Sequence, residues 1–175
     1  MKHLFSIAIF ASMLLASMQL SAQDDKSKRP SPPALVTAKL SSGAAISINY
    51  SQPSIKGRVI GKTIEPKNGE VWRTGANEAT VFETSKAVKV NGKDLPAGKY
   101  ALFTLVNNGV WTMIFNKTFK QWGAYDYKMA DDAVRIIAKA EKKTASFAEK
   151  MTFTIGTDGE VHLLWGDNMA SFSVK

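Results

Sequence analysis

The chain has 175 residues, 45% of them hydrophobic and 22% charged, with a formal net charge of +8. Those proportions fit one compact globular domain and leave little room for a second. There is no cysteine, which excludes disulfide frameworks, thiolate metal sites, cysteine nucleophiles and a lipid-anchored export form. The two histidines, His3 and His162, are too few for a multi-histidine centre, so no metal or cofactor is expected.

Residues 1–22 read as a secretory signal. A short basic start (Lys2, His3) precedes an apolar run over 4–18, and Ala22 offers a small residue at the cut. No other stretch approaches the roughly 20 apolar residues of a spanning helix, so no membrane span is expected after cleavage. The expected product is exported, periplasmic or secreted, and carries about +7 once Lys2 is gone. Residues 23–33, QDDKSKRPSPP, are charged and proline-rich with nothing to bury, and read as a disordered leader.

From 34 to 175 the texture is even and the period is two, as expected of a single β domain. Residues 35–40 and 45–50 flank Ser41-Ser42-Gly43-Ala44, a hairpin connection. Residues 80–84 and 87–90 lead into the turn dipeptide Asn91-Gly92. Residues 99–106 follow Pro96-Ala97-Gly98, and Asn107-Asn108-Gly109 turns into 110–116. The run 100–106 is apolar on both faces, as a strand covered on both sides should be. Residues 151–155 alternate, Thr157-Asp158-Gly159-Glu160 turns that strand into 161–165, and 170–174 closes the chain. Residues 130–143 have helical propensity but a β-branched centre, Val134 to Ile137, which favours a short helical lead-in followed by a strand. The fold class is therefore all-β, an antiparallel sandwich or barrel-like fold with at most a short helix near 129–135.

Two stretches are dense in polar and aromatic residues, 70–80 (EVWRTGANEAT) and 121–127 (QWGAYDY). Residues 72–80, 96–103 and 122–127 together resemble a secreted bacterial family, the domain of unknown function 2911. Residues 50–58 and 111–117 fit the same pattern, and the likeness covers about 31–175. Residues 65–70 depart from it, where a tighter tyrosine-glycine-lysine approach to the tryptophan is expected. The resemblance carries over no activity.

The chemistry must therefore come from the residues. Trp72, Arg73, Asn77 and Glu78 surround a glycine and offer a guanidinium, an amide and a carboxylate that can grip a polar ligand. The alternative is a locked corner, with Arg73 paired to Glu78 and Asn77 capping the turn. Trp122, Tyr125, Asp126 and Tyr127 set flat rings beside a carboxylate, which suits a sugar, or else they plug the end of the fold. His162 sits opposite Val161, Leu163 and Trp165 on its strand and reads as a surface or satisfied histidine. No G-x-S-x-G accompanies it. Residues 57–63 have three residues between glycines where a phosphate loop needs four. The lysines are dispersed and not interleaved with aromatics, so no nucleic-acid partner is expected.

No catalytic set is assigned. The expected role is a non-catalytic exported protein that binds a small polar or carbohydrate ligand or an envelope partner. The alternatives are a carboxylate-dependent hydrolase using Glu78 and Asp126, and a purely structural envelope protein. Nothing in the sequence assigns an oligomeric state. Strand counting places the two loops at opposite ends if 80–90 is one strand, and at one end if Ser85-Lys86 is a turn. Their polar density favours a meeting, with Arg73 or Glu78 near Trp122 or Tyr125, because buried polar groups need partners.

Overall fold

The computed structural model describes residues 25–175, so the predicted signal segment lies outside the described residues. The strands are β1 (Pro33–Lys39), β2 (Ala45–Ser51), β3 (Val71–Trp72), β4 (Val81–Thr84), β5 (Val88–Val90) and β6 (Lys93–Leu95). After these come β7 (Gly98–Asn107), β8 (Val110–Asn116), β9 (Asp132–Lys142), β10 (Ala148–Ile155), β11 (Glu160–Gly166) and β12 (Asn168–Ser173). Among the described residues, helical structure is confined to 3₁₀ turns at Lys26–Lys28 and Met129–Asp131. The second of these is the short lead-in predicted before β9.

One large antiparallel sheet runs in the order β1-β2-β4-β7-β8-β9-β12-β11-β10, with β3 paired to part of β7. It curls until its ends approach. Past β2, the chain at Pro53 to Ile55 meets β10 through Ile55 N–H to Glu149 O (2.9 Å) and Met151 N–H to Pro53 O (3.0 Å). The barrel-like form of the prediction is the one adopted, since near-closure pairs strand edges that would otherwise stay open. Asn91-Gly92 and Asn108-Gly109 both have positive φ at each residue, the geometry that two-residue hairpins require.

Inward residues of alternating strands fill the barrel. Phe82 meets Phe115 edge-on at 5.1 Å, and Phe115 meets Phe172 at 5.9 Å, with Ile46, Ile48, Leu102, Met113 and Leu163 buried around them. The outward side of the β7–β8 pair is also apolar. Ala101, Phe103 and Ile114 are fully buried there with Ala79, beneath Phe119, Ala124 and Tyr127. The two-faced burial predicted for 100–106 is thus real, and its second cover is the pair of loops described below.

Two expectations change. Residues 80–90 form neither one bulged strand nor a hairpin within the sheet: β4 lies in the large sheet, while β5 pairs only with β6. That small hairpin buries Val88, Val90 and Leu95, and β5 also bonds to the chain end through Lys89 and Lys175. The leader, read as disordered, lies on the barrel from Lys26 onward, because its cations find a carboxylate there.

Candidate functional site

The register of three strands brings the two motif loops together. Val81, the first residue of β4, lies opposite Ala101 of β7, and Ala101 lies opposite Asn116, the last residue of β8. β4 covers only one half of β7, and β3 covers part of the other. The loop that enters β4 and the loop that leaves β8 therefore start from one row. They then bond directly: Glu78 and Trp122 form an antiparallel bridge, Ala79 N–H donates to Gln121 O (3.0 Å) and Gly123 N–H donates to Asn77 O (3.1 Å).

Loop 72–80 spends most of its polar groups on its own shape. Trp72 is 3% exposed, and its indole N–H donates to Gly75 O at 3.0 Å. The Thr74 and Thr104 hydroxyls share a buried hydrogen bond of 2.7 Å, and the Thr80 hydroxyl donates to Thr74 O at 2.8 Å. A Cβ on Gly75 would stand 2.9 Å from Thr80 Oγ1 and 3.1 Å from Ser51 O, so the corner closes only on glycine. Asn77, at φ 58, donates its amide to Ser31 O (3.0 Å). These are the locked-corner roles.

Arg73 and Glu78 form no pair with each other. The Glu78 carboxylate instead takes Lys26 Nζ at 2.8 Å and Arg29 Nη1 at 2.9 Å, both from the leader. Partial burial pushes the Glu78 carboxyl up, but hydrogen bonds from Lys26, its own backbone and Arg29 outweigh that and hold it at about 2. The Arg29 guanidinium also lies 5.9 Å from the centre of the Trp122 ring, within cation–π range. Sequence reasoning missed Arg29, because a basic residue in a proline-rich leader looks like any other tether charge.

The second loop is anchored at its end. Tyr127 packs edge-on against Phe103 at 5.1 Å. Its hydroxyl donates to Asp132 Oδ2 (2.8 Å) and accepts from Arg135 Nη2, while Arg135 Nε holds the same carboxylate oxygen at 2.6 Å. Asn116, fully buried, donates to the other Asp132 oxygen at 2.8 Å and to Lys128 O at 3.0 Å. Burial first, then the bond to Asp132, raises the Tyr127 phenol above its ordinary range. Asn116, Asp132 and Arg135 were not singled out in the sequence. The only trace of them there is a polar residue ending an apolar strand.

What stays open is the middle of the surface. Trp122 is 51% exposed and Tyr125 82% exposed; Asp126 is exposed beside them. A Cβ on Gly123 (φ +65) would come within 2.9 Å of the Tyr125 ring and 3.0 Å of Arg73 Nη1, so a ring and a guanidinium both press on that bare α-carbon. Arg73 Nε and Gln121 Oε1 are buried without a hydrogen-bond partner. Such orphans are uncommon in a folded chain.

The adjoining hollow, bordered by Lys26, Arg29, Tyr50 and Glu78, holds only about 200 Å³, so this is an open face and not a pocket. A larger cleft lies elsewhere, at the turn that joins β7 to β8. Among the described residues no three His, Asp or Glu side chains gather where a metal ion could sit. Nor is any helix among them long and apolar enough to cross a membrane. The chain matches no curated protein and no solved structure. A family model covers residues 31–174, and the chain belongs to that family, described as a protein of unknown function (DUF2911).

Proposed function

We propose that the joined loops are a non-catalytic binding surface for a small polar or carbohydrate ligand, in a protein made for export. The observation that carries this reading is the pairing of two exposed rings, Trp122 and Tyr125, with buried polar atoms of Arg73 and Gln121 that no other group satisfies. Rings supply a flat apolar face for the C–H side of a sugar, and the half-buried Arg73 and Gln121 side chains beside them, whose polar groups the fold does not use up, supply direction. Hydrolysis is the weaker reading. Glu78 is clamped by two cations and held at about 2, far from the raised value that a general acid needs near neutral pH. Thermal-shift screening against neutral and acidic oligosaccharides and cell-wall fragments tests the proposal. At least one class is expected to raise Tm, with the gain lost in Trp122→Ala and in Arg73→Gln. A flat response across all classes would end it.

A further inference from the structure

A second cleft lies away from the two loops. It has a volume of about 760 Å³, within the ~300–1,000 Å³ typical of small-molecule sites. Val106, Gly109 and Trp111, from the turn end of the β7–β8 hairpin, contribute to it. That end is roughly 20 Å along the strands from the row of Val81, Ala101 and Asn116, at ~3.3 Å per residue. The opposite wall comes from the segment that follows β2, with Ile55, Val59 and Ile60, and from Phe147.

The lining is mostly apolar. Val59 and Phe147 are large apolar side chains left 51% and 61% exposed. Gly166, at φ +63, sits where a Cβ would lie 2.6 Å from Ile60 Cδ1 and 3.4 Å from Ile55 Cδ1; the bare α-carbon lets that wall close down on β11. Four charged residues line the cleft. Lys142 is paired with Asp167 at 2.8 Å, and Glu141 with Lys143 at 3.1 Å. Among the described residues no carboxylate pairs with Arg58. Its Nε and Nη2 donate to the backbone carbonyls of Ile55 and Ser54, which fixes the guanidinium without neutralising it. The cleft thus combines an apolar wall with one uncompensated, immobilised positive charge.

We infer that this cleft binds a single-chain amphiphile with an anionic head, the chain against Ile55, Ile60, Val106 and Trp111 and the head at Arg58. The site is separate from the loop surface, and the inference does not depend on that reading. The probe is dodecanoate, titrated into the full chain by calorimetry below its critical micelle concentration, with dodecyltrimethylammonium as the cationic control. One-to-one binding is expected, with the cation bound more weakly by up to roughly fivefold, the scale of one exposed ion pair. Ala140→Trp, at an exposed position of β9 that lines the cleft, is expected to weaken dodecanoate about tenfold by occupying its space. Arg58→Gln should erase the preference for the anion. If Arg58→Gln does not fold, the comparison of the two heads on the unaltered chain still decides. Absence of saturable binding, equal affinity for both heads, or an Ala140→Trp chain that binds as before would each overturn the inference.

Discussion

Gly123 sets how closely the guanidinium of Arg73 and the ring of Tyr125 approach. At φ +65, and with a Cβ placed 2.9 Å from the Tyr125 ring and 3.0 Å from Arg73 Nη1, the position resists any side chain for two separate reasons: backbone strain and crowding by those two groups. Gly123→Ala is expected to cost about 1–3 kcal/mol, read as a fall in the urea midpoint at unchanged m-value, and to displace Tyr125. A second residue-scale test concerns the anchor of the same loop. The Tyr127 hydroxyl serves both Asp132 and Arg135, and the Asp132 side chain is only 8% exposed. Tyr127→Phe should therefore destabilise by about 1–3 kcal/mol, the cost of leaving part of a buried charged network unsatisfied. A stability unchanged within error would mean that water replaces the hydroxyl.

At the scale of elements, the loops rest on a second apolar patch, and Phe103 is its centre. Phe103→Ala is expected to destabilise the fold by about 3–5 kcal/mol and to open residues 117–127 to proteolysis before the barrel itself unfolds. Much of this level was legible in the sequence. Alternation marked the strands, Asn91-Gly92 and Asn108-Gly109 marked two turns, and the run 100–106 announced a strand with two covers. What sequence could not supply was register. Counting β4, β7 and β8 as equal strands puts the loops at opposite ends. They meet because β4 is four residues long and is displaced along β7, so that its first residue is level with the last of β8. Strand length and stagger depend on which side chains pack across the sheet, and turn dipeptides carry no record of that. The choice between sandwich and barrel stayed open in the sequence for the same reason: Pro53 to Ile55 find β10 nearly a hundred residues away.

For the whole molecule, the leader was illegible because its partner is distant. Its composition argues for disorder, yet Lys26 and Arg29 close on Glu78 some fifty residues away. The pH dependence follows from the sign of that contact. Glu78 is held at about 2, below its ordinary 4.5, so its contribution is complete above about 4.5 and is lost as pH falls through about 2. The carboxylate is 41% exposed, and its pairs therefore contribute no more than about 1 kcal/mol to global stability. The effect belongs to the leader: ¹⁵N relaxation should show residues 26–31 ordered at pH 7 and mobile near pH 2, with Glu78→Gln mobile already at pH 7. Release of the leader would also withdraw Arg29 from Trp122 and alter the face on which a ligand is proposed to sit.

The most direct test of that face is chemical-shift mapping with the oligosaccharide giving the largest thermal shift. Perturbations are expected on the Trp122 indole N–H, the Gln121 side-chain amide, Gly123 and Tyr125, all abolished in Trp122→Ala. Shifts confined to Val106, Gly109 and Trp111, or spread evenly over the lysine-rich surface, would contradict the proposal.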